Sequence, residues 1–139
     1  MKPLRLLLAD DHILVRAGLR ALLDGIEGIA VVAEADNGEQ AVALAVQHRP
    51  DIALLDITMP GMNGLQAAKC ILRELPDTRV LILSMHAGDE YVTQALKLGV
   101  SGYLLKDAAT LELQAALEAV AGGATYLSPR ITDQLLQSK

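Results

Sequence analysis

The sequence predicts an α/β fold in which one parallel sheet is covered by helices on both faces. Two observations predict it. Short aliphatic runs alternate with helical patterns five times along the chain. The runs are continuous rather than alternately apolar and polar, as expected of strands buried on both sides. With 139 residues the chain has the size of one ordinary domain and can bury a substantial core.

Residues 4–9 read as the first strand, and Val15, Leu19, Leu22 and Leu23 follow at helical spacing. Residues 29–35 are the second apolar run. Asn37 is expected to cap the next helix, with Gln40 reaching back to it and Ala41, Leu44 and Ala45 continuing the pattern. Residues 52–55 form a third strand that ends at Asp56. Asn63-Gly64-Leu65-Gln66 repeats the capping pattern before a helix that runs to about Leu75. Residues 80–83 form the fourth strand, ending at Ser84. Tyr91, Ala95 and Leu98 mark a helix with Gly99 at its C-terminal cap. Residues 102–105 form the fifth strand, ending at Lys106. Thr110 is expected to cap a last helix that precedes Gly122-Gly123. Residues 1–123 are therefore read as one domain. Residues 124–139 read as the start of a helical interdomain linker, with Ile131, Leu135 and Leu136 on one side. The natural chain is accordingly expected to continue past Lys139.

Composition narrows the function. The core must be built from aliphatic side chains, because the sequence has no Phe, no Trp and three Tyr. A net charge of −5 disfavours nucleic acid, whose phosphates need clustered Lys and Arg, and favours a divalent cation. One cysteine, Cys70, cannot form an internal disulfide, which fits a reducing cytoplasm. The apolar run before Asp10 is too short for a signal peptide or a membrane span, so a cytoplasmic protein without membrane contact is expected.

The polar residues carry the chemistry. In open parallel sheets, ligands bind at the carboxyl ends of the strands. Strand one ends at Asp10-Asp11, strand three at Asp56, strand four at Ser84 and strand five at Lys106. Gathered carboxylates repel one another, and a divalent cation resolves the repulsion; hard oxygen ligands favour Mg²⁺. One carboxylate can attack phosphorus and become an aspartyl phosphate. Lys106 could then pair with the acceptor or its phosphoryl oxygens, and Ser84 could donate a hydroxyl. Phosphoryl transfer needs mainly positioning and charge neutralisation, which this set supplies.

Asp10-Asp11-His12, the run from Leu54 through Asp56-Ile57-Thr58-Met59-Pro60-Gly61 to Gly64, Leu83-Ser84-Met85-His86 and Gly102-Tyr103-Leu104-Leu105-Lys106-Asp107 together resemble the receiver domain of bacterial two-component response regulators. The subgroup is similar to NarL/FixJ, with LuxR-type output, whose members usually join a receiver to a helix-turn-helix DNA-binding domain. The resemblance covers roughly residues 4–123 and implies a flavodoxin-like (βα)5 sheet with strand order 2-1-3-4-5. It implies Asp56 as phospho-acceptor and Mg²⁺ held by Asp11 and Asp56, by Asp10 through water, and by the Thr58 backbone carbonyl. It also implies Ser84 as a hydroxyl switch, Lys106 as the conserved-type lysine and Tyr103 as a rotating aromatic. A sensor histidine kinase is the implied phosphoryl donor and a homodimer the implied phosphorylated form. DNA would be reached only through a helix-turn-helix domain that this chain lacks. The lysine is followed here by Asp107, where many receivers have proline.

Other readings are weaker. A magnesium-dependent phosphohydrolase would place a second acid two residues after its nucleophile, where this chain has Thr58. A dinucleotide or P-loop domain would need glycine motifs that do not follow strand one. A pseudo-receiver would have lost an acid or the lysine. Zinc is not expected at His12 or His86, since no Cys or second His stands at ligand spacing; His86 is instead expected beside the acceptor, where it could influence dephosphorylation. Cys70 reads as a packing residue, and Met59 and Met62 as residues that shape the loop after Asp56. The chain is thus expected to be a switch that assists its own phosphorylation and dephosphorylation, not an enzyme in the usual sense.

Overall fold

The computed structural model describes residues 2–85 and 88–137. Its elements alternate: β1 (Leu4–Ala9), α1 (Ile13–Asp24), β2 (Ile29–Ala35), α2 (Gly38–His48), β3 (Ile52–Asp56), α3 (Gly64–Glu74), β4 (Arg79–Ser84), α4 (Asp89–Leu98), β5 (Gly102–Leu105), a 3-10 turn (Lys106–Ala108), α5 (Ala109–Ala121), β6 (Tyr126–Leu127) and α6 (Pro129–Gln137). All strand pairs are parallel, in the order β2-β1-β3-β4-β5-β6.

Strand pleating divides the core in two, because successive side chains point to opposite faces. Leu7, Ala9, Ala53, Leu55, Val80 and Ile82 face α2, α3 and α4, meeting Ala41, Ala45, Ala67, Ile71, Val92 and Ala95. Leu6, Leu8, Leu54, Leu81, Leu83 and Leu104 face α1 and α5, meeting Leu19, Leu23, Leu113, Ala116 and Leu117. Alanines on the helices let them lie close to the sheet, and branched aliphatic side chains from the strands fill the space without rings. Asn63 and Gln66 form the reciprocal cap expected of them, each side-chain oxygen accepting the other residue's backbone N–H at 2.9 Å. Gly99 ends α4 in the left-handed region with φ of 92°. Gln40 departs slightly: Asn37 caps its backbone N–H, but the Gln40 side chain accepts from Asp36 N rather than from Asn37. Thr110 does not cap α5, since the 3-10 turn feeds the helix and Ala108 occupies the cap position.

The five-strand order 2-1-3-4-5 is corrected by a sixth strand. Tyr126 and Leu127 pair with Gly102 and Tyr103 along the outer edge of β5. Tyr126 N donates to Ser101 O at 2.9 Å, and Ser128 N donates to Tyr103 O at 3.1 Å. Gly102 permits this approach, because a Cβ there would lie 2.7 Å from Tyr126 O. The strand is locked from the side as well. Glu112 accepts from the Tyr126 hydroxyl at 2.7 Å and from the Ser128 hydroxyl at 2.9 Å, while Leu105 N donates to Ser128 Oγ at 3.0 Å. Burial and the Glu112 carboxylate push the Tyr126 hydroxyl up to about 12. Pro129 opens α6, where a missing N–H costs nothing. Ile131 is buried in the core and α6 lies against α4. Leu136, expected on the same side, points to solvent.

Gly102→Ala is therefore expected to force either the β6 backbone or Leu81 to move, at about 1–3 kcal/mol, as other overpacked sites do. Urea unfolding reads the loss, and amide exchange should show residues 126–137 opening first. A variant within about 0.5 kcal/mol of the parent, the range of inconsequential surface changes, would mean that β6 does not need this close approach.

Candidate functional site: an acidic pocket at the carboxyl ends of the strands

The pocket forms because three central strands stop at one level. Asp10 N donates to Ala35 O at 3.0 Å and Ile57 N donates to Leu83 O at 2.9 Å, so the chain leaves the sheet in register. Gly64 packs its Cα directly on the Asp56 carbonyl, leaving no room for a side chain there. The loop after Asp56 is held against α2. Gly61 adopts φ of 70°, and Met62 N donates to Glu39 Oε1 at 2.9 Å.

The sheet brings Asp10, Asp11, Asp56 and Lys106 together. Asp10 and Asp56 are buried and Asp11 is half-buried. Lys106 Nζ reaches across from β5, 3.0 Å from Asp10 Oδ2 and 3.1 Å from Asp56 Oδ2. Thr58 N donates to Asp56 Oδ1 at 3.3 Å, which turns the Thr58 peptide around the pocket rim. Arg16 donates to the Asp10 backbone carbonyl at 2.7 Å and supports the strand end from α1.

Electrostatically the pocket is short of positive charge. Burial, then the neighbouring Asp10 charge, raise the Asp56 carboxyl to about 6, against the opposing pull of Lys106 and the Thr58 N–H. Asp10 Oδ2, Asp11 Oδ1 and Asp56 Oδ2 are buried oxygens that receive no well-aligned hydrogen bond, although two of them lie within ion-pair reach of Lys106. Lys106 attracts Asp10 and Asp56 as short ion pairs without a well-aligned hydrogen bond to either Oδ2. One ammonium cannot satisfy three carboxylates. A small hard cation fits this donor set, since carboxylate oxygens from Asp10, Asp11 and Asp56 converge with an imidazole within 4.8 Å of one another.

Ser84 and Tyr103 lie one shell deeper. Both are fully buried, and their hydroxyls share a hydrogen bond. Burial raises the Tyr103 hydroxyl, and the bond from Ser84 pulls it partly back. Tyr103 is thus already packed inward among Ile82, Val92 and Ile131. His86 lies outside the described residues. His12 Nδ1 stands 3.2 Å from Asp10 Oδ1, within hydrogen-bond reach, 3.3 Å from Asp11 Oδ1 and 3.9 Å from Asp56 Oδ2. Its place directly after the acidic pair in the sequence brings the ring to the pocket.

The doubly wound parallel sheet thus gathers buried acids and a lysine at its carboxyl edge. The chain belongs to the response regulator receiver domain family, whose model matches residues 6–118. Members of this family are signalling switches rather than enzymes in the usual sense. The chain is 40% identical over 134 residues to the transcriptional regulatory protein DegU of Brevibacillus brevis, covering 96% of this chain and 57% of that protein. It thus spans little more than half the length of that relative. Among solved structures, a two-component response regulator of the LuxR family from Aurantimonas sp. SI85-9A1 superposes with a TM-score of 0.94 at 36% identity, over 99% of this chain and 98% of that one. The isolated REC domain of RcsB from Salmonella enterica serovar Typhimurium, in the presence of phosphomimetic BeF3−, superposes with a TM-score of 0.88 at 26% identity, over 95% of this chain and 98% of that one. The resemblance to LuxR/NarL-type regulators therefore holds over the whole receiver. No helix among the described residues is long and apolar enough to cross a membrane.

Proposed function

We propose that Asp56 accepts a phosphoryl group from the phosphohistidine of a sensor kinase and that the aspartyl phosphate switches the output of a longer transcriptional regulator. The observation that carries this reading is the set of three buried carboxylate oxygens without hydrogen bonds beside a single lysine. Asp11, Asp56 and the Thr58 carbonyl would hold Mg²⁺, with Asp10 acting through water. The ion supplies neutralisation of the carboxylates and of the incoming phosphoryl oxygens. An Asp56 carboxylate oxygen attacks phosphorus, the bond from phosphorus to the kinase imidazole breaks, and its electron pair stays with the imidazole nitrogen. Lys106 moves from Asp56 Oδ2 to a phosphoryl oxygen, which lies two bonds further out. Water later releases phosphate, so the chain assists its own dephosphorylation.

Ser84 then exchanges its Tyr103 partner for a phosphoryl oxygen. One charge-assisted hydrogen bond of about 1.5–3 kcal/mol can shift a two-state equilibrium roughly tenfold to a hundredfold. Tyr103 carries the change to α4 and, through its carbonyl, to Ser128 and α6. Residues 1–123 are the receiver unit in this reading, and 124–139 lead towards the output domain. Phosphorylation favours a homodimer in the cytoplasm, and DNA is bound only by the separate helix-turn-helix domain.

The test is incubation of this chain with acetyl phosphate and Mg²⁺, followed by intact-mass measurement. One added phosphoryl group is expected, none with excess chelator. Amide exchange with a beryllofluoride mimic should then change around residues 91–98 and 103–106, and Ser84→Ala should shrink that response. Changes confined to the loops around Asp11, Asp56 and Lys106 would refute the Ser84–Tyr103 relay.

A further inference from the structure

We infer that His12 gives the acidic pocket a nitrogen ligand, so that the site takes borderline divalent cations such as Co²⁺ and Zn²⁺ through an imidazole as well as hard cations through oxygen alone. The inference rests on the reading of the acids as a divalent-cation site. It adds a residue that separates one class of cation from another.

The geometry carries it. Two ligands about 2.1 Å from a cation, roughly 90–110° apart, are about 3.0–3.4 Å from each other. His12 Nδ1 stands 3.2 Å from Asp10 Oδ1, a hydrogen bond in the metal-free pocket, and 3.3 Å from Asp11 Oδ1; the same spacings suit ligand-to-ligand edges around a shared cation. Its 3.9 Å from Asp56 Oδ2 lies between an edge and the roughly 4.2 Å of two ligands on opposite sides of an octahedral ion. The ring thus stands beside the pocket carboxylates, where Asp11 Oδ1 and Asp56 Oδ2 have no hydrogen-bond partner and Asp10 Oδ1 accepts from His12 itself. The backbone of His12 is anchored by its N–H to Asp10 Oδ1 at 2.9 Å, at the entrance to α1. The side chain is 57% exposed, so the ring can enter the pocket or leave it without disturbing the core.

Chemistry decides when it enters. Mg²⁺ prefers carboxylate, carbonyl and water oxygen and keeps several waters, so the ring adds little. Zn²⁺ and Co²⁺ gain from an imidazole nitrogen, and Asp10 and Asp11 would then share the cation with His12.

Calorimetry on the full chain with MgCl2 and with CoCl2 tests this, comparing the parent, His12→Ala and His12→Asn. Co²⁺ affinity is expected to fall by at least about tenfold in both variants, as loss of a direct ligand implies, with Mg²⁺ affinity within about twofold. The Co²⁺-loaded parent should show a hyperfine-shifted imidazole N–H proton resonance that both variants lack. Asp11→Asn should lose both cations. If the variants change Co²⁺ and Mg²⁺ affinity by the same factor, in either direction, His12 only ion-pairs with the acids and the inference fails. It also fails if the shifted resonance survives in the variants, or if Asp11→Asn keeps Co²⁺. Failure of the parent to bind either cation overturns the cation site itself; Mg²⁺ binding with a Co²⁺ to Mg²⁺ ratio insensitive to His12 overturns this inference alone.

Discussion

Asp56→Asn is expected to accept no phosphoryl group from acetyl phosphate under conditions that label the parent fully. The amide has no charged oxygen to attack phosphorus, and Asp10, which is also buried against Lys106, is expected to serve the cation rather than phosphorus. Intact mass and acid-stable peptide mapping after reduction of the acyl phosphate read the site. Lys106→Ala should retain the acceptor but slow labelling by about tenfold to a hundredfold. That is the worth of one charge-assisted contact of about 1.5–3 kcal/mol made as charge moves onto the phosphoryl oxygens. Full labelling of Asp56→Asn would move the acceptor elsewhere. Unaltered rates in Lys106→Ala would make that lysine a ground-state partner only.

The second large effect is on stability in the absence of divalent cation. The Asp56 carboxyl rises from 3.8 to about 6 on folding, chiefly through burial and then through Asp10. A raised value means that the folded state holds the proton more tightly than the unfolded chain. The resulting stability is fully present below pH 3.8 and is lost as pH rises through about 6. The loss is on the order of 2–3 kcal/mol once Asp56 is ionised. Asp56→Asn escapes it, so the variant should be more stable than the metal-free parent at pH 7–8 by that order and should lose this advantage near pH 4. Urea unfolding at both pH values, with chelator present, reads the difference. Mg²⁺ should stabilise the parent at pH 7–8 and have little effect on the variant, since ligands raise stability only where they bind the folded form. A parent more stable than Asp56→Asn at neutral pH without cation would show that Lys106 already compensates the buried charge.

Both effects trace to residues that could be seen in the sequence. Asp10, Asp11, Asp56, Ser84 and Lys106 each follow an aliphatic run, and polar groups are tolerated next to buried strands only where the strand leaves the sheet. That rule places the pocket from the sequence alone. The Asn63–Gln66 cap and the Gly99 stop were legible for a similar reason, since each depends on residues within four positions of one another. Thr110 has the hydroxyl of a cap before an apolar run, but the 3-10 turn after Lys106 turns the chain into α5 before it.

The sequence by itself determined the alternation of strands and helices and which polar residues meet at the sheet's edge. Both follow from hydrophobic period and strand burial, which are local properties. Only the tertiary structure decided the sixth strand, the inward packing of Tyr103 against Ser84, the place of His12 over the acids and the proton affinity of Asp56. β6 is two residues long and has no period to read. It exists because Glu112, fourteen and sixteen positions away, binds Tyr126 and Ser128, and because Gly102 leaves space for it. Asp56 takes its raised proton affinity from burial and from the Asp10 charge that folding brings beside it from another strand, and His12 stands within 4 Å of Asp56 only in the folded chain. Electrostatic strength depends on that distance and on the exclusion of water, and both are products of the folded state.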